Sequence, residues 1–360
     1  MNRKTFSVLA LIVAVSLLAA ACAPAAQPPA ATEVPPMETP PPVEATEAPA
    51  GEMKSVCLVQ IDLSHPFHLG EVEGAKEAAR RYGFDLRVTS GEGDVNKQIQ
   101  AFENCVNEGV DAIAVNFIDF KAFGPAMEKA KAAGIPVVCL HSTPEGCVTT
   151  LGFDELYTGH EVGKYGVDLL KQDPCWPNCQ AANIQGLLGQ GLNEARSGGW
   201  KEEMEAAGVN VVAQEPTDWQ PEKAVAAMEN WLVAYPDLNL VYGNSDGLTV
   251  PAAEAAQAAG NDKILFTSVD GSDFALEAIK NGVMKSTFMY APEYSGFWKA
   301  WVPFKAATGE GLDPEILIKG TLVNTDNVDC ATNLAKDQKE KMADFEFEKT
   351  LPELLDIYCK

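Results

Sequence analysis

Basic residues are scarce in this 360-residue chain: lysine and arginine number 27 against 51 aspartates and glutamates, a formal charge of −24. A surface so acidic repels phosphate backbones, which argues against a nucleic-acid partner. The chain shows no cysteine–histidine signature of a thiol nucleophile. Gly189-Gln190-Gly191 opens like a dinucleotide loop, but Glu194 stands where the third glycine belongs, so no nucleotide cofactor is expected. Cys175-x-x-x-Cys179 has no second cysteine or histidine pair nearby to make a zinc site. His65, His68 and His141 would suit zinc or copper, yet no carboxylate or thiolate clearly completes the set. The expectation is no metal, no cofactor and no enzyme, with metal binding or an extracellular enzyme as the lesser alternative.

Lysine and arginine are absent altogether between Ala23 and Glu52, where nine prolines and five glutamates stand. Such a composition cannot bury enough apolar surface to fold and reads as a disordered tether. In extended polyproline geometry, at about 3.1 Å per residue, it could hold a globule up to roughly 90 Å from its anchor. Before it, Arg3 and Lys4 precede an apolar run from Val8 to Ala21 broken only by Ser16. The run is short for a span of about 20 residues and lacks a basic stop-transfer flank, so it reads as a secretory signal. Leu18-Ala19-Ala20-Ala21-Cys22 resembles the bacterial lipoprotein signal. That resemblance implies acylation of Cys22 and anchoring to the outer face of the cell membrane, in a periplasm or at a cell surface. A plain secretory signal cleaved nearby is the alternative.

Nine cysteines less Cys22 leave eight in an exported chain, an even number that suits disulfides. Spacing suggests Cys139 with Cys147, Cys175 with Cys179 and Cys330 with Cys359, leaving Cys57 for Cys105. Connectivity stays open at this stage, and two buried free thiols at Cys57 and Cys105 are the alternative.

After the tether, short β-rich runs alternate with amphipathic helices, the signature of parallel sheets built from βαβ units. Strands are expected at 56–61, 84–89, 110–117 and 135–140, then at 182–188, 209–213, 238–242, 264–269 and 285–289. Leu69, Val72, Ala75, Ala79 and Tyr82 form one predicted helical face stopped by Gly83. Asp94 is an expected N-cap, and Gly109, Gly134, Gly208, Gly260 and Gly282 are expected helix stops. About three hundred residues in two such series predict two α/β lobes. Ligands of open α/β sheets sit beyond the carboxyl ends of the strands. The candidates there are Phe67, His68, Asn116, His141, Gln190, Arg196, Trp219, Asn244, Asp246, Asp270 and Tyr290. Carboxylates, amides and a guanidinium satisfy hydroxyls that both donate and accept, and aromatic rings cover C–H faces, so this mixture suits a sugar or polyol.

At these residues the chain resembles the ribose-type periplasmic binding proteins, from about Lys54 to Val323. The resemblance rests on His65-Pro66-Phe67-His68, the strand Val110 to Asn116, Ala195-Arg196-Ser197-Gly198-Gly199-Trp200, Asp218-Trp219 and Val269-Asp270-Gly271. It departs at His141-Ser142, where pentose binders commonly have Asp-Arg, at His68 in place of a second phenylalanine, and at Tyr290 in place of a glutamine. The resemblance implies a two-lobed type I fold with three hinge crossings, near Phe153, Tyr290 and Asn324. The expected organisation is a signal peptide at 1–22, a tether at 23–52, a first lobe of 53–153 plus 291–324, and a second of 154–290 plus 325–360. It further implies a monomer that binds a sugar or polyol and delivers it to the permease of an ABC transporter. A receptor partner of a membrane sensor kinase would carry the same sequence features. Asp326, Asn327 and Asp329, beyond the usual family ending, are read as a loop rather than a cation site.

Overall fold

The computed structural model describes residues 53–142 and 145–360. The expected signal, Cys22 and the whole of the tether lie outside the described residues. The first half runs β1 (Ser55–Gln60), α1 (Pro66–Tyr82), β2 (Asp85–Ser90), α2 (Val95–Glu108), β3 (Ala112–Asn116), α3 (Gly124–Ala132), β4 (Val137–Leu140) and β5 (Thr149–Phe153). There follow α4 (Glu155–Lys171), β6 (Gln180–Gln185), α5 (Gly191–Ala206), β7 (Asn210–Pro216), α6 (Pro221–Ala234), β8 (Leu238–Gly243), α7 (Asp246–Ala258), β9 (Leu265–Asp270), α8 (Asp273–Lys280) and β10 (Ser286–Met289). The chain ends with α9 (Pro292–Ala307), β11 (Glu315–Ile318), β12 (Thr321–Asn324), α10 (Val328–Glu340) and α11 (Leu351–Tyr358).

These elements make two sheets, ordered β11-β5-β4-β3-β1-β2 and β12-β10-β9-β8-β6-β7. Every pair is parallel except β10 with β12. Parallel strands need helical crossovers, which cover both faces, so β1, β3 and β4 are almost wholly buried and read as continuous apolar runs. The fold is the expected two-lobed α/β architecture. Asp94 caps α2 by accepting from the amides of Asn96 and Lys97. Gly109, Gly134, Gly208, Gly260 and Gly282 all take the left-handed conformation expected of helix stops.

β5 and β11 are strands beyond those expected, and three further details differ from the sequence reading. The buried face of α1 is Glu71, Gly74, Ala75 and Ala78, while Leu69 is exposed. The helix is rotated because Glu71 has a buried partner that apolar periodicity cannot reveal. β12 pairs with β10, so Thr321–Asn324 belong to the second sheet and the third crossing falls between Ile318 and Thr321, not at Asn324. The stretch 325–360 is not confined to the second lobe. α10 packs on α8, with Lys280 Nζ 3.1 Å from Asp329. Residues 342–350 then cross to the first lobe, where Arg81 donates to Phe345 O at 2.7 Å and Trp298 Nε1 to Phe347 O at 3.0 Å. The Phe347 ring stacks on Phe297 with centroids 4.3 Å apart. Asp326 and Asn327 form the turn before α10, with the amides of Asn324 and Asp326 each donating to a side-chain amide oxygen at 2.8 Å.

Candidate functional site

Residues from the carboxyl ends of both sheets line one cavity of about 120 Å³. A buried water takes roughly 10–15 Å³ by this kind of measure, so the space admits about ten water-sized groups. From the first lobe come Ile61, Asp62, His65, Phe67, His68, Asn116, His141, Phe153 and Lys299; from the second come Glu155, Gln190, Leu192, Arg196, Trp219, Ser245 and Asp270. Eight of the eleven sequence-derived candidates therefore meet here.

The backbone is strained where it presents these groups. His141, Trp219 and Asp270 have φ of 58°, 61° and 126°, a region that side chains other than glycine rarely enter. Such strain collects where surrounding structure over-determines a residue. Trp219 lies against Gly186, whose missing side chain leaves room for the indole ring. The indole Nε1 donates to Gln190 Oε1 at 2.8 Å, which aims both side chains.

The second-lobe wall is an ionic cluster. Arg196 is buried, donating from Nε to Glu155 Oε2 at 2.5 Å, from Nη2 to Glu155 Oε1 at 3.2 Å and from Nη1 to Asn244 O at 2.9 Å. Asp270 Oδ1 lies 3.6 Å from Nη1, and Asp270 Oδ2 accepts from Ser245 Oγ at 2.8 Å. Burial opposes the guanidinium charge, but Glu155 and Asp270 outweigh it and push its pKa above the ordinary value. Burial raises the carboxyl of Asp270, with Arg196 and His65 holding it back. On the first-lobe side, burial and the charges of Lys299 and Arg196 hold His141 well below its usual range, so its imidazole is neutral. Its Nδ1 is buried without a hydrogen-bond partner among the described residues. Burial likewise lowers His65, which caps α1 by accepting from the Phe67 amide at Nδ1. Asp62 is held below the ordinary carboxylate range, first by His68.

Three candidates stand behind the wall. Asn244 is fully buried and donates to Asn193 Oδ1 at 2.6 Å and Ser197 Oγ at 2.9 Å, so it braces α5. Asp246 is enclosed by the Ser272 amide and the Thr287 hydroxyl. Tyr290 stacks on Phe153 at 3.7 Å, reaches Thr158 through its hydroxyl and lies 6.0 Å beneath the Arg196 guanidinium. Each follows a strand, but the following turn directs it into the lobe. Glu155 and Lys299 went unseen in the sequence. An acidic residue behind Asp154 reads as an ordinary first-turn charge, whereas Lys299 left a signal, a lysine set between the tryptophans and phenylalanines of α9. Among the described residues no group of three histidines, cysteines, aspartates or glutamates is arranged to hold a metal.

A two-lobed α/β fold with a polar, aromatic-walled cavity between parallel sheets is that of a solute-binding protein. Residues 56–311 match the family model for the periplasmic binding protein domain, and the chain belongs to that family. It is 28% identical over 259 residues to the ribose import binding protein of Bacillus subtilis, covering 71% of this chain and 83% of that one. It is 24% identical over 278 residues to the xylitol-binding protein of Mycolicibacterium smegmatis, covering 76% and 78%. Among solved structures it resembles an ABC transporter solute-binding protein from Bacillus halodurans with bound myo-inositol, at 25% identity and a TM-score of 0.72, covering 78% of this chain and 98% of that one. These relatives are binding proteins rather than enzymes.

Proposed function

We propose that this chain is an exported, lipid-anchored binding protein that captures an uncharged monosaccharide or polyol between its lobes for an ABC importer. The observation that carries the reading is the charge balance of the cavity. Glu155 occupies Arg196 on two nitrogens and Glu71 pairs with Lys299, so among the described residues both of the cavity's lysine and arginine side chains already have carboxylate partners, which disfavours an anionic solute. What remains is acceptors on Asp270, donors on Asn116 and Lys299, and the rings of Phe67, Phe153 and Trp219. Such a set suits hydroxyls on one edge and C–H faces on the other. Ribose, xylitol and myo-inositol in the relatives' names support this class. Binding would be accompanied by closure about the chain crossings at 154, 290–291 and 319–320, with the protein working as a monomer.

The test is calorimetric titration with ribose, allose, xylitol and myo-inositol. Asp270→Ala strands hydroxyls in a dry cleft, a cost of about 1–3 kcal/mol or roughly five- to 150-fold in Kd. Trp219→Ala should lose a comparable amount through its stacking face, while the exposed Lys76→Ala should bind like wild type. If both cleft variants match that control, the site is misplaced.

A further inference from the structure

We infer that Lys299 is a ligand-contacting, specificity-determining residue of the first lobe, donating to a hydroxyl or ring oxygen of the solute. The inference rests on the sugar-or-polyol reading of the cavity. Lys299 comes from the middle of α9, its side chain is 1% exposed, and it lines the cavity 5.7 Å from the centre of the Phe153 ring. Its hydrogen-bond partner among the described residues is Glu71, on α1. An ammonium has three donors, so two remain available to a cavity occupant.

Glu71 is anchored independently. It is fully buried, Ser295 Oγ donates to its Oε1 at 2.8 Å, and Gln60 Nε2 donates to its Oε2 at 2.8 Å. Burial raises the carboxyl, but Lys299 and the other charges and donors around it bring it below its ordinary value, so it stays ionised. Gln60 Oε1 in turn accepts from Asn116 Nδ2 at 3.3 Å, which ties a second cavity residue into the same chain of bonds. A buried ion pair is a poor stabiliser, since well-packed apolar residues of similar volume usually serve as well or better. Fold stability alone therefore does not account for Lys299. A cation with free donors, held at the base of a cavity by a fixed carboxylate, accounts for itself once a solute oxygen accepts from it.

The experiment compares Glu71→Gln with Glu71→Gln combined with Lys299→Met, so that residue 71 and its effect on Gln60 and Asn116 are the same in both. Titration uses whichever of ribose, allose, xylitol and myo-inositol wild type binds best. The double variant should bind about tenfold to 150-fold more weakly than Glu71→Gln, the range of a hydrogen bond to a charged group. Equal affinities would mean that Lys299 is only a counter-ion, and would overturn the inference while leaving the sugar reading intact. If wild type binds none of the four, the sugar reading fails and the inference with it. Should the double variant not fold, wild-type protein with nitrogen-15 lysine decides the matter. The Nζ signal of the buried lysine should shift on saturation with the same probe, and an unmoved signal overturns the inference.

Discussion

Asp246 lies one layer behind the cavity, its Oδ2 accepting from the Ser272 amide and its Oδ1 from the Thr287 hydroxyl, each at 2.8 Å. Burial, reinforced by the charge of Asp270, pushes its carboxyl up to about 8 from an ordinary 3.8. A carboxyl raised by folding binds its proton more tightly in the native state. Its contribution is full at low pH and declines as pH rises through the window up to about 8. Asp246→Asn imitates the neutral form without the titration. The variant should gain in melting temperature relative to wild type as pH is raised from about 5 to about 8, followed by circular dichroism; a constant difference would contradict the raised carboxyl. At this scale the strand-end rule pointed to Asn116, His141, Trp219 and Asp270, because residues at or just past the carboxyl ends of parallel strands lie beside the cavity. It could not tell Asp246 or Asn244 from these, since the next turn decides which way a side chain points.

The C-terminal stretch behaves as a strap whose parts answer to different lobes. α11 returns to α10, where Tyr358 donates to Asp337 Oδ2 at 2.9 Å and the Cα atoms of Cys330 and Cys359 are 5.1 Å apart. The other expected pairs, Cys57 with Cys105, Cys139 with Cys147 and Cys175 with Cys179, have Cα separations of 6.2, 5.8 and 4.9 Å, all within disulfide range. A Cys330–Cys359 bridge would stabilise by about 2–4 kcal/mol. Replacing both with serine should lower the melting temperature and leave sugar affinity unchanged. No change in melting temperature, or free alkylation of both residues in the exported protein, removes this pairing. Helix stops were legible because only glycine takes the left-handed turn cheaply. The close crossing of α1 and α9 was not, although Gly296, seated on the backbone of Glu71, is what lets the two helices approach.

At the scale of the whole molecule, the proposed acylation of Cys22 would hold the globule at the membrane where an importer sits, each buried methylene of an acyl chain adding about 0.8 kcal/mol. Cys22→Ser should move the protein from the membrane fraction to the soluble one. Equal partitioning with wild type after a high-salt wash would rule the anchor out.

What the sequence by itself determined is local and periodic. Alternating strands and helices, their caps and stops, and the polar residues that end parallel strands follow from backbone geometry within a few residues. Tertiary structure decided the rest. β12 pairs with β10 at the edge of the second sheet, and residues 342–350 lie on the first lobe with Phe347 stacked on Phe297, long-range contacts that no local pattern encodes. Glu71 and Lys299, 228 residues apart, became a buried pair only when α1 and α9 met. A lone charge on an apolar helix face has no meaning until its partner is in place, because burying it is costly without that partner and tolerable with it.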